Sequence, residues 1–139
     1  MARPLRPRSE SDIYHVFTRG TGRQIIYEYD DDRRTFLSML ASSAVKTDAK
    51  LFAYCLMGNR YHLVVKCDFD ALPTLCFELN RSYATYFNGI HGRTGHLFQG
   101  RHSRQPINDD SYLLASVRYI HRNPVEVCAK KASTSYNRV

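Results

Sequence analysis

At 139 residues the chain suits one domain that buries roughly two thirds of its unfolded surface. Its 20 Lys and Arg against 13 Asp and Glu leave a formal net charge of +7 and a pI near 9.4, which favours a polyanionic partner. No apolar stretch follows the N-terminal charges and no run is apolar enough to span a bilayer, so the expectations are no secretion, no membrane and a cytoplasmic protein.

Residues 1–11 mix arginine with two prolines and read as a flexible basic arm able to lie along phosphates. Ile13 to Arg19 is rich in β-formers and ends at Gly20-Thr21-Gly22, which predicts the first strand. Asp30, Asp31 and Asp32 then precede Phe36, Leu37, Met39, Leu40 and Ala44. Acids at the N-terminal end and apolar residues at helical spacing predict a helix over about 31 to 47. Residues 51–57 and 61–67 are apolar runs around Gly58-Asn59-Arg60 and predict a hairpin.

Leu72, Leu75, Cys76, Leu79, Tyr83, Tyr86 and Phe87 recur three or four apart, a second long helix with its stop at Asn88-Gly89. An extended segment follows. Asp109-Asp110-Ser111 can then cap a third helix through Tyr112, Leu113, Ala115, Val117 and Ile120, ended by Asn123-Pro124. This order predicts an α+β sandwich of the ferredoxin-like kind. Cys55, Cys67, Cys76 and Cys128 form no C-x-x-C pair and read as buried thiols.

Three features could carry chemistry. His62 sits in the third strand between Tyr61 and Leu63, where alternation turns it to the face opposite both. Tyr119 and Asn123 lie four apart on the third helix, so a phenol and an amide share one face. That spacing suits a site where the amide helps hold a hard divalent cation while the phenol attacks phosphorus; ordinary packing would give it too. The stretch from His91 to Arg104 carries Arg93, His96, Arg101, His102 and Arg104 around Phe98 and Gln99 and contains no acid. Such a segment can track phosphates while an aromatic stacks on a base.

The blocks Y-H-V-F-T-R-G (14–20), A-Y-C-L-M-G-N-R-Y-H-L-V-V (53–65), Y-F-N (86–88), G-H-L-F-Q-G-R (95–101) and Y-L-L-A-S-V-R-Y-I-H-R-N-P-V (112–125) occur in that order. Together they resemble the REP-associated tyrosine transposases, within the HUH single-tyrosine transposases of the insertion sequence 200/605 type, over about residues 12 to 125. The resemblance implies a ferredoxin-like α+β domain at 12–125 and a tail at 126–139, where S-T-S-Y-N (133–137) reads as the start of a segment that continues in relatives. It also implies a chain that cuts and rejoins single-stranded hairpin or palindromic DNA through a 5′-phosphotyrosine intermediate, with Mg²⁺ or Mn²⁺.

Carried over by resemblance, Tyr119 is the nucleophile and His62 and Asn123 are metal ligands. The first histidine of the H-U-H pair maps to Arg60. A guanidinium offers no lone pair, so one metal donor is lost and the ion's hold is weakened; Arg60 could instead contact the phosphate. The expectation is a DNA-binding transposase with impaired cleavage. The alternative is a domesticated binding protein that keeps hairpin recognition through Arg19, Arg93, Arg101 and Arg104 without cutting. An RNA-binding module of the same fold leaves the Tyr119–Asn123 pairing unexplained. A homodimer is left open.

Overall fold

The computed structural model describes residues 8–128, with side chains through Tyr119. Strand β1 (Ile13–Arg19) leads through one 3-10 turn to helix α1 (Asp30–Thr47). The hairpin β2 (Lys50–Met57) and β3 (Arg60–Lys66), helix α2 (Leu72–His91), strand β4 (Ser103–Pro106) and helix α3 (Asp110–Cys128) follow. The four strands form one sheet in the order β2-β3-β1-β4, every pairing antiparallel. That is the predicted ferredoxin-like α+β sandwich, with α3 added on the far face.

The two faces divide the side chains by period-two alternation. Tyr14, Val16, Leu56, Tyr61, Leu63 and Val65 join Phe36, Leu40, Leu75, Leu79 and Tyr83 of α1 and α2 in the main core. Ala53, Cys55, Val64 and Ile107 pack instead against Leu113 and Val117 of α3. An extra residue in β2 between Leu51 and Ala53 shifts the register there, so that residues 53 and 55 face α3. Cys55, Cys67 and Cys76 are buried as predicted; the side chain of Cys128 lies outside the described ones.

Helix α1 begins where expected because the Asp32 carboxylate accepts the N–H groups of Glu28 (2.8 Å) and Tyr29 (3.2 Å), closing its open first turn. Four expectations need correction. The hairpin turn is Gly58-Asn59 alone, and Arg60 is a paired strand residue opposite Met57 and Arg19. Helix α2 runs past Gly89 to His91 and stops at Gly92, whose φ of 62° supplies the left-handed exit. Helix α3 continues through Pro124 to Cys128, since a proline inside a helix removes one hydrogen bond and bends the axis without always ending it. Ser9 and Ser11, at the end of the expected arm, are tied down: Ser9 N–H donates to Tyr14 Oη (3.0 Å) and Ser11 Oγ to the Ile107 carbonyl (2.6 Å). Residues 1–7 and 129–139 lie outside the described residues.

Candidate active site and basic cleft

His62 does turn away from Tyr61 and Leu63, onto the face covered by α3. In the β1–β3 register it stands opposite Phe17, with His15 opposite Val64 and Arg19 opposite Arg60. One face at this end of the sheet therefore carries His15, Phe17, Arg19, Arg60 and His62. Gly20 closes the strand behind Arg19. Its N–H donates to the Asn59 carbonyl (2.9 Å), and a Cβ there would stand 2.4 Å from the Gln24 carbonyl oxygen, so only glycine fits the turn that fixes this register.

The imidazole of His62 is 6% exposed. Its Nδ1 lies 3.0 Å from His15 Nε2, a hydrogen bond between two buried rings, and the Phe17 ring stacks on it at 5.7 Å. Its Nε2 has no hydrogen-bond partner among the described residues. Burial, then His15 and Arg60, push the His62 pKa down to about 4, and burial lowers that of His15. Both rings are neutral at physiological pH. One ring must donate and the other accept, so His15 limits the tautomer and orientation of His62.

Tyr119 reaches this point from α3. Its ring meets His62 edge-to-face at 6.1 Å and is 53% exposed, open to a ligand from solvent. The helix is held there by Leu113 and Val117 on the sheet, and its start by Asp109 Oδ1, which accepts the Tyr112 N–H at 2.8 Å. Asn123 lies one turn beyond Tyr119 on α3, and its side chain is outside the described ones.

Arg19 and Arg60 end on the same face as a directly opposed cross-strand pair. Neither has an ion-pair partner among the described residues, although like charges so placed repel. The fold thus brings His62, Tyr119, Arg19 and Arg60 together. It does not bring the other basic candidates to them. Arg93 braces the end of α2, donating to Asn88 Oδ1 (2.6 Å) and the His96 carbonyl (3.1 Å). Arg101 and Arg104 line a cleft beside α2, on the opposite face of the sheet. Arg104 is buried, its guanidinium 5.2 Å over Phe69 and 5.6 Å over Tyr14, rather than displayed for surface contacts.

A divalent ion would meet a poor donor set. Arg60 cannot ligate, no three His, Cys, Asp or Glu side chains gather among the described residues, and His62 has one ring nitrogen engaged with His15. The described residues do not fit a resident, protein-held ion. Sequence reasoning missed His15 and Phe17. The signal was there in the Y-H-V-F block, two positions apart on one strand, but their meeting with His62 depends on the β1–β3 register.

No protein-family model and no curated protein matches the sequence. Solved structures do. A REP-associated tyrosine transposase bound to a REP hairpin superposes with a TM-score of 0.72 at 14% identity, over 91% of this chain and 74% of that one. A candidate transposase from Deinococcus radiodurans R1 matches with a TM-score of 0.57 at 16% identity, over 87% of this chain and 97% of that one. The chain shares their fold, in agreement with the resemblance carried by its sequence blocks. No described helix is long and apolar enough to cross a membrane.

Proposed function

We propose that the chain is a transposase-type DNA-strand transferase that binds hairpin single-stranded DNA and breaks one strand with Tyr119. The observation that supports this is the edge-to-face contact between Tyr119 of α3 and His62 of β3, with ring centroids 6.1 Å apart, in residues that the sequence resemblance pairs. The reaction follows from the groups present. The phosphodiester lies across Arg19 and Arg60, whose paired guanidiniums neutralise its oxygens as charge develops there. Tyr119 Oη forms a bond to phosphorus while the bond from phosphorus to the 3′-oxygen breaks. The phenolic proton ends on that 3′-oxygen, leaving a 5′-phosphotyrosine and a 3′-hydroxyl; the reverse step rejoins the strand. His62, held by His15 and stacked on Phe17, fixes the floor beneath the phenol.

His62 Nε2 and Asn123 are the ligands that the sequence resemblance offers to Mg²⁺ or Mn²⁺, an ion that would supply charge neutralisation at the phosphate and would take the rest of its shell from water and DNA. Arg60 weakens that hold, so cleavage is slow. Arg60 equally favours a second reading, a binding protein of the same fold that no longer cuts. Labelled hairpin single-stranded DNA incubated with the full chain, with Mn²⁺ or with a chelator, separates the two on a denaturing gel. A covalent adduct that disappears in Tyr119→Phe supports strand transfer, and retained binding without any adduct supports the second reading.

A further inference from the structure

The cleft between α2 and the 95–104 segment plays no part in the chemistry above. It measures about 740 Å³, within the range of small-molecule sites. It lies on the α1/α2 face of the sheet, away from Tyr119. Its described lining includes three arginines, two histidines and two asparagines and not one Asp or Glu.

No carboxylate faces the charge inside among the described lining residues. Arg104 is 8% exposed, and its Nε and Nη1 have no hydrogen-bond partner among the described residues. The guanidinium lies over the rings of Tyr14 and Phe69. Burial, outweighing its other neighbours, lowers the Arg104 pKa, and Arg101 stands close enough to add to the repulsion. A buried guanidinium without an acid makes the cleft a strong anion attractor. Beside it the walls are apolar and aromatic. Phe98 and Leu97 form part of the lining, and Phe77 stands 66% exposed at the rim with the Arg81 guanidinium 5.8 Å above its ring. An exposed phenyl ring among arginines is costly in water. It suits a ligand that is flat and aromatic at one end and anionic at the other.

We propose that this cleft binds one unpaired nucleotide of DNA, its base against Phe77 and Phe98 and its phosphate among Arg81, Arg101 and Arg104. The site is separate from the cleavage centre and anchors the strand on the opposite side of the sheet. The proposal rests on the reading of the chain as a DNA-binding protein but requires nothing of Tyr119.

The test is nuclear magnetic resonance titration of the isotope-labelled full chain with the 2′-deoxynucleoside 5′-monophosphates, with the matching nucleosides and inorganic phosphate as separate arms. Saturable shifts of the Phe77, Arg81, Leu97 and Phe98 amides by monophosphates are expected. Phe77→Ala and Arg81→Gln, both at exposed positions, should each weaken binding about tenfold, the loss of one stacking or charge contact. Short oligothymidylate should displace the monophosphate. No shifts at these residues, or shifts from phosphate alone as strong as from nucleotide, would overturn the proposal, as would failure of the oligonucleotide to compete. Since no readout involves cleavage, repeating the titration on Tyr119→Phe keeps the two readings apart. Nucleotide binding without any adduct would sink the cleavage chemistry alone, and an adduct without nucleotide binding would sink this site alone.

Discussion

Replacing His62 with glutamine removes a buried group that resists protonation, and the consequence for stability can be worked out. In the unfolded chain a histidine titrates near its ordinary value of 6.5, whereas in the fold burial, His15 and Arg60 hold His62 near 4. Between those values the unfolded state binds a proton that the folded state refuses, so stability falls as pH drops through this window. It is unaffected above it, where both states are neutral. At about 1.4 kcal/mol per pKa unit the wild type loses roughly 2 to 3 kcal/mol to this one residue by about pH 4.5. Among the described residues the groups facing the ring are His15, Phe17, Arg60 and Tyr119, with no acid among them to reverse the sign. Urea unfolding of the wild type and His62→Gln from about pH 7 to about pH 4.5 gives the difference directly, because the other histidines titrate in both. The variant's stability should decline less steeply with acid, by that amount. Parallel curves, or a wild type that gains stability relative to the variant on acidification, would refute the burial and pairing of His62.

The remaining expectations follow from the same geometry. Arg60→His should raise Mn²⁺-dependent nicking of hairpin DNA by about tenfold or more, by restoring a ligand nitrogen on the His62 face; equal cutting by the two forms would count against the assignment of position 60. Arg19→Ala should reduce the slope of log binding constant against log salt by about 0.7, the loss of one phosphate contact on a single strand, and an unchanged slope would remove Arg19 from the interface. Leu79→Ala, deep in the α2 core and fully buried, should cost roughly 2 to 5 kcal/mol in chemical denaturation; a cost under about 1 kcal/mol would mean the α2 packing is wrong.

Much of the fold is legible in the sequence because the elements have clean local signatures. The β-formers of 13–19, the two runs around Gly58-Asn59 and the three-or-four spacing from Leu72 to Phe87 each specify one structure. His62 opposite Tyr61 and Leu63 follows from alternation alone. The failures share a cause, which is dependence on partners distant in sequence. Arg60 reads as turn by composition and becomes strand because Met57 and Arg19 pair with it. His15 looks like one more strand residue until the β1–β3 register sets it 3.0 Å from His62. Arg104 reads as a surface cation within a basic segment. Its strand lies at the sheet edge beside β1, and alternation turns it inward over Tyr14 and Phe69. Pro124 carries a stop signal that α3 overrides.

The proposed function turns on a covalent bond between Tyr119 and DNA. The full chain incubated with a hairpin bearing single-stranded flanks, then digested and examined by mass spectrometry, tests it at the level of the residue. A peptide carrying a 5′-linked nucleotide on Tyr119 is expected, with a matching 3′-hydroxyl on the released strand and no such peptide from Tyr119→Phe. A nucleotide attached to another tyrosine, or cleavage that persists undiminished in Tyr119→Phe, would contradict it.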